Sequence, residues 1–337
     1  MAEAKRNGAE GKAAGVRKSI RLAFVGTGNW ARRYHLPSLK HIRDTRMDGW
    51  DLSLHGIYGI RHDEAVQLAE QYAFGRVYSR LEEILDDPDL DAVAVVITPE
   101  AAQDVLLKLL VRNAPLFTEK PPGADYAQAR ELAEKVHVLN VVGYNRRYNL
   151  LNNRFKELLG TVGKIEQVQG EMYRINRREP HFVMHTGGHL INLMEYLFGD
   201  IRQVRNEKQK HPATGETVHV AHVAFDSGLG GRIVLAPCSD RHWEGVTVRA
   251  AGQTTILHSP HNDGAGEVVI RKAGADSKGE VVARSGQRLP ILEEGYALEY
   301  LDFFAAMADG RPTRSNFRNA VNTMRVAEAI ETGKDLN

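Results

Sequence analysis

Residues 20–31 read IRLAFVGTGNWA, and the fold turns on this stretch. The apolar run from Ile20 to Val25 has the composition of a buried strand, and it leads directly into Gly26-Thr27-Gly28. Ala31 takes the third position of a G-x-G-x-x-G/A pattern. Gly26 allows a sharp strand-to-helix turn, and Gly28 lets a pyrophosphate approach bare backbone. Ala31 keeps the following helix close to the sheet, so that its first N–H groups face the anion. Thr27, Asn29 and Trp30 complete this candidate dinucleotide loop, with Trp30 expected to cover the adenine or pyrophosphate side. The pattern alone is weak evidence. A preceding strand, a helix-compatible segment over 31–42 and the alternating region it opens strengthen it.

At 337 residues the chain is long enough for two domains with their own cores. Lys and Arg number 44 and Asp and Glu 43, so no net field argues for nucleic acid or a membrane surface. The single cysteine, Cys238, excludes an intrachain disulfide framework and reads as a small buried residue at a strand end. No apolar stretch approaches the roughly 20 residues that a membrane helix needs. Residues 1–18 are polar and rich in Gly and Ala, without the apolar core of a signal peptide. They are expected to form a disordered tail, and the cytoplasm is the expected compartment.

Over residues 19–144, apolar runs alternate with helical patterns. Strands are expected at 20–25, 52–58, 76–78, 92–97, 116–118 and 138–142. Helices are expected at 31–42, 63–72, 81–85, 101–111 and 126–135, the last capped by Asp125. This is the order of a doubly wound parallel α/β domain. Residues 145–337 read differently. Helices over 150–159 and 186–198 flank a strand at 166–174. The segments HVAHVAF, GGRIVLA, GVTVRAAG, TTILH and EVVIRK then alternate as antiparallel strands, and helices at 295–307 and 317–332 close the chain. The second domain is therefore expected to be α+β, built for substrate binding and oligomerisation.

Four further segments carry a resemblance. His35-Leu36-Pro37-Ser38-Leu39 follows the glycine turn, Thr98-Pro99 ends the fourth strand, and Glu119-Lys120-Pro121 ends the fifth. Gly143-Tyr144-Asn145-Arg146-Arg147 opens the second domain, and a Gly-rich segment with His189 starts its helix. In this order and spacing the chain resembles the Gfo/Idh/MocA family of oxidoreductases from about residue 20 to residue 330. The resemblance implies a Rossmann domain followed by an α+β domain with a large open, mainly antiparallel sheet. It implies a dinucleotide at the carboxyl ends of the parallel strands, substrate between the domains, and a homodimer or homotetramer formed through the open sheet face.

Lys120, at a strand's carboxyl end, points into the crevice where open α/β sheets bind ligands. Its ammonium can hydrogen-bond a substrate hydroxyl and stabilise a developing alkoxide. In the family the matching Lys touches both substrate and nicotinamide, and a cis Lys120–Pro121 bond is expected. His189 precedes Leu190, Leu193, Met194 and Leu197, a helix-period set. In the first turn of a helix its imidazole stays neutral, and it is a candidate general base. Many family members have Asp four residues earlier, where this chain has His185. A second imidazole cannot supply that charge. His185 is therefore read as a proton relay and substrate contact, with a different chemistry, or weak or absent dehydrogenase activity, as the alternatives. His181, His185 and His189 lack a placed carboxylate or thiolate partner, so no metal site is expected.

The second strand ends in Gly59-Ile60-Arg61-His62, without the carboxylate that accepts both ribose hydroxyls of NAD. Arg61 can pair with a 2′-phosphate, which favours NADP(H) over NAD(H). Asp63 is read as the cap of the next helix. By resemblance, Thr98, Pro99, Glu119 and Asn145 join Lys120 around the cofactor, and Arg146 faces cofactor or substrate. Gln103 stands where the family usually has His, and Tyr144 is read as packing. Tyr173 and Arg174 are expected to line the substrate pocket. The leading reading is an NAD(P)-dependent oxidoreductase that exchanges hydride between nicotinamide and a carbohydrate-like substrate, a sugar, polyol or related hydroxy/keto compound. The alternatives are a dinucleotide-binding regulator without turnover and an NAD-assisted glycosidase of the same family.

Overall fold

The computed structural model describes residues 18–259, 266–274 and 278–337. Of the tail expected at 1–18, residues 1–17 lie outside the described residues, and Lys18 opens the first strand.

The first half is built from β1 (Lys18–Val25), α1 (Leu36–Thr45), β2 (Trp50–Tyr58), α2 (His62–Tyr72), β3 (Arg76–Val77) and α3 (Glu82–Asp86). It continues through β4 (Ala92–Val95), α4 (Pro99–Leu110), β5 (Leu116–Glu119), α5 (Tyr126–Lys135) and β6 (Asn140–Gly143). All six strands are parallel, in the order β3-β2-β1-β4-β5-β6. This is a doubly wound Rossmann sheet, and the strand order reverses between β1 and β4, where such sheets open their ligand crevice. Leu22, Phe24, Ala94 and Val95 are fully buried, as a sheet covered on both faces requires. Asp125 caps α5 by accepting the N–H of Gln128 at 2.9 Å.

The second half comprises α6 (Leu150–Leu159), β7 (Ile165–Tyr173), α7 (Gly188–Phe198), β8 (Ile201–Lys210), β9 (Thr217–Phe225) and β10 (Gly230–Ala236). Then follow β11 (Trp243–Ala250), β12 (Gln253–His258), β13 (Glu267–Lys272) and β14 (Glu280–Arg284), and the helices α8 (Pro290–Glu293), α9 (Tyr296–Asp309) and α10 (Phe317–Thr332). Eight strands form one sheet, β14-β13-β12-β11-β7-β10-β9-β8, antiparallel except for the β7–β10 pair. One face packs against α6, α7 and α10 through Phe155, Leu190, Met194 and Met324. The other carries a small apolar cluster of Val218, Val220, Val234 and Ala236.

Two strands escape the sequence pattern. β8 (IRQVRNEKQK) is polar beyond its first turn of residues, because it lies at the sheet edge and buries only Ile201 and Val204. β14 is the opposite edge and is half-exposed throughout. The chain also crosses back late. Helix α9 packs on the Rossmann sheet, where Tyr300, Phe303 and Phe304 share a core with Phe24 and Phe117. The Tyr300 and Phe117 rings stack at 4.3 Å. Each such ring contributes about 2 kcal/mol by leaving water. Residues near the C-terminus thus complete the domain begun at the N-terminus and hold the two halves together.

Candidate active site

A cleft of about 1240 Å³ opens at the carboxyl ends of β1, β2, β4 and β5 and is closed by segments of the second half. Gly26 has φ +123°, and a Cβ there would stand 2.1 Å from the Val96 carbonyl oxygen, so only glycine makes this turn. Gly28 is different: nothing lies within 4 Å of its would-be Cβ, which would project into the open cleft. Ala31 is fully buried against the sheet and opens a π-helical turn, Ala31–His35, that runs into α1. The helical run starts two residues earlier, at Asn29 just past Gly28, and Trp30 within it makes no capping bond, so its first N–H groups stay available to an anion. Thr27, Asn29 and Trp30 line the cleft beside them. Trp30 is 44% exposed and meets Tyr34 edge-on at 5.3 Å.

At the end of β2, Gly59 faces Thr27, and a Cβ there would lie 2.4 Å from the Thr27 methyl. A larger side chain at this position would require the Thr27 side chain to turn aside. Arg61 lines the cleft, is largely exposed, and has its Nε 2.9 Å from Glu64 Oε1. The other Glu64 oxygen accepts the Thr27 hydroxyl at 3.0 Å and lies 3.2 Å from Arg32 Nη2. The sequence pointed to Arg61 but missed Glu64, whose only signal is its i, i+3 spacing from Arg61. Asp63 does not cap α2. The capping position is Arg61, with no side-chain hydrogen bond, and Asp63 lies in the first turn, where its charge suits the helix dipole.

At the reactive end, Thr98 and Pro99 border the cleft where β4 gives way to α4. The Lys120–Pro121 bond is cis. Lys120 Nζ donates to the His185 carbonyl oxygen at 3.2 Å. Burial first, then the nearby Arg146 and Arg177, hold the Lys120 ammonium below the usual lysine range, and Glu119 opposes them. Glu119 itself is occupied: Oε2 accepts the Lys120 N–H at 2.9 Å, and Oε1 lies 2.8 Å from His35 Nε2.

A second π-helical turn, Val183–Gly187, carries His185 and continues into α7 without a break. His189 is therefore in the second turn of a longer helical run, not its first. Its imidazole is nonetheless held neutral, well below the usual range, by burial and then by Arg146, Lys120 and Arg174. His185 is also lowered, by burial and then Lys120. His189 Nδ1 and His185 Nε2 are buried with no hydrogen-bond partner among the described residues. No described group of three or more His, Cys, Asp or Glu is arranged to hold a metal ion.

Arg146 and Asn145 follow β6 and line the cleft. Arg146 grips Glu244 with two nitrogens, Nη2 at 2.7 Å, and the buried Arg174 bonds the same carboxylate. Between these cations the Glu244 carboxyl is pulled down to about 2 against its burial. Tyr173 departs from expectation, because it does not line the cleft. Strand alternation turns it to the other face of the sheet, where it meets Trp243 edge-on at 6.1 Å and Glu171 at 3.0 Å. Arg174, one residue on, takes the cleft position. Gln103 turns away to Glu131 at 2.5 Å, and Tyr144 is buried packing against His189. Arg177, Glu179, His242 and Tyr296 line the cleft without having been singled out. They come from loops and from the returning α9, where one sequence offers no register.

The sequence profile described as "Oxidoreductase family, NAD-binding Rossmann fold" (Gfo/Idh/MocA) matches residues 20–144. Its companion, "Oxidoreductase family, C-terminal alpha/beta domain", matches residues 158–332. The chain is 24% identical over 199 residues to myo-inositol 2-dehydrogenase of Thermotoga maritima, 56% of each chain. It is 25% identical over 279 residues, 78% of each chain, to inositol 2-dehydrogenase/D-chiro-inositol 3-dehydrogenase of Lacticaseibacillus casei. The match thus spans little more than half the length of the Thermotoga relative. Among solved structures, levoglucosan dehydrogenase in complex with NADH superposes with a TM-score of 0.75 at 16% identity, covering 95% of this chain and 99% of that one. At that identity the likeness concerns the fold.

Proposed function

The chain belongs to the Gfo/Idh/MocA oxidoreductase family, and from that premise we propose a dehydrogenase or reductase that acts on a CH–OH group of a sugar, polyol or related compound, with NADP(H) preferred. The observation that carries the reading is Lys120 at the carboxyl end of β5, bonded to the His185 carbonyl and lining, together with His189, a cleft that begins at the glycine turn. The residues fit a dinucleotide, because the open space at Gly28 and the uncapped helix start suit a pyrophosphate. Gly26, Thr27, Gly28, Asn29 and Trp30 would hold that group, with Thr98, Pro99, Glu119 and Asn145 nearer the nicotinamide. When bound, the nicotinamide ring supplies the hydride acceptor or donor.

The chain's own residues do the rest. Lys120 donates a hydrogen bond to the substrate oxygen and stabilises its negative charge as the C–H bond breaks. His189, neutral at physiological pH, takes the hydroxyl proton, and its depressed pKa returns that proton readily. His185, beside Lys120 and also held neutral, would relay the proton outward. Preference for NADP(H) is supported by the absence of a carboxylate at Gly59 and by the two cations, Arg32 and Arg61, set against the one carboxylate of Glu64. The NADH-bound relative shares only the fold, so the preference rests on this ribose end. A homo-oligomer formed through the second sheet face, acting in the cytoplasm, completes the proposal.

His185 in the place of the family's carboxylate favours, as a second reading, a dinucleotide-binding protein without turnover. Purified protein with NADP⁺ and a panel of sugars and polyols, followed by NADPH absorbance, separates the two. Turnover that falls about 100-fold or more in Lys120→Met supports the enzyme. Turnover undiminished by that change would overturn the assignment of Lys120.

A further inference from the structure

Within that dehydrogenase reading, we propose that the substrate carries a carboxylate close to the reacting carbon, received by Arg174 and Arg146. Arg174 is the anchor of this subsite. Only 1% of its surface is exposed, yet it stands in the wall of the cleft. Its Nη1 donates to the Tyr173 and Trp243 carbonyls at 3.0 and 3.1 Å, and Nη2 to Glu244. Its Nε is buried and has no partner among the described residues. A buried guanidinium N–H left unmatched is costly, and a ligand oxygen would relieve it.

Arg146 shares the same Glu244 carboxylate, so two guanidinium charges face one carboxylate in a dry place. The other carboxylates nearby already have partners. Glu119 serves His35 and the Lys120 N–H and its charge also acts on Lys120, Glu179 serves Arg177 and Thr186, and the charge of Glu294 acts on Arg146. The charges that act on His189 are those of Arg146, Lys120 and Arg174, all cationic. A neutral polyol would leave the Arg174 Nε N–H without an anionic partner beside the reacting carbon. A hydroxy acid of the aldonate or uronate type would meet it with one planar oxyanion, which a guanidinium fork suits.

The test is calorimetric titration of NADPH-loaded protein with D-gluconate against D-glucitol and D-galactonate against galactitol, pairs that differ only in a carboxylate for a CH₂OH. At least one acid should bind about tenfold or more tightly than its polyol. Arg174→Met should erase that advantage and Arg174→Lys restore part of it, with NADPH affinity unchanged. Should Arg174→Met not fold, Arg146→Gln carries the same expectation. If neither acid exceeds its polyol, or if the advantage survives both variants, the inference is overturned. Loss of NADPH binding by the wild type would instead strike the cofactor reading on which it rests.

Discussion

His35 Nε2 and Glu119 Oε1 lie 2.8 Å apart in the dry seam between the helical run after the glycine turn and the strand that bears Lys120. His35 Nδ1 is 2.9 Å from the Tyr300 hydroxyl, so the seam joins three separate parts of the chain. Since Glu119 Oε2 also holds the Lys120 N–H, the helical run after the glycine turn and Lys120 share one rigid support. His35→Ala should leave the Glu119 carboxylate and the Tyr300 hydroxyl short of a buried partner and cost about 1–3 kcal/mol of stability. Denaturant unfolding measures that loss, and turnover should fall more than NADPH affinity.

Lys120 must be protonated to stabilise an alkoxide, and its pKa lies below the usual lysine range. Activity should therefore fall as pH rises through that lowered value. Lys120→Arg, whose guanidinium does not titrate there, should be slower but lose this alkaline limb. Profiles of kcat/KM against pH for the two proteins check the point. An identical alkaline limb in both would assign it to another group.

Arg61 and Glu64 predict opposite cofactor effects. Arg61→Ala should weaken NADPH binding several-fold and leave NADH nearly unchanged, because only the 2′-phosphate seeks that guanidinium. Glu64→Gln should tighten NADPH by removing a like charge while also loosening Thr27, Arg32 and Arg61. Parallel fluorescence titrations with both reduced cofactors measure the two variants.

Glu299 is fully buried, neither of its carboxyl oxygens has a partner among the described residues, and burial and then Glu119 raise its pKa well above 4.5. From 4.5 up to that raised value, the folded chain keeps a proton that the unfolded chain releases. Stability contributed by this group is thus full at low pH and falls as pH rises, by up to about 1.4 kcal/mol per unit. Glu299→Gln carries no such proton. Its melting temperature should gain on the wild type more at about pH 8 than at about pH 5. A gain independent of pH would mean that Glu299 does not titrate as described.

How much of this was legible follows from where each residue sits. The Rossmann half could be read because its strands are buried on both faces and its turns use Gly26 and Asp125 for reasons visible in the sequence. Lys120 and Arg146 were found because they follow strand ends within segments that resemble the family, whereas His189 was found by resemblance although its helical run starts earlier than its apolar pattern suggests. The edge strand β8 was hidden by its polar outer residues. Tyr173 and Arg174 needed a strand phase, and the boundary at Tyr173 decides which of them reaches the cleft. Glu244, which organises two arginines, lies on β11 about 70 residues beyond Arg174, and no local pattern marks such a partner.

The decisive experiment is a fluorescence titration of purified, cofactor-stripped protein with NADPH and NADH side by side. Both should bind saturably at one site per chain, with NADPH the tighter. NADH binding alone would contradict the argument from Gly59 and Arg61 and leave the oxidoreductase standing. Binding of neither cofactor by folded protein would contradict the account as a whole, since every role given to Lys120, His189 and Arg174 depends on that cleft holding a dinucleotide.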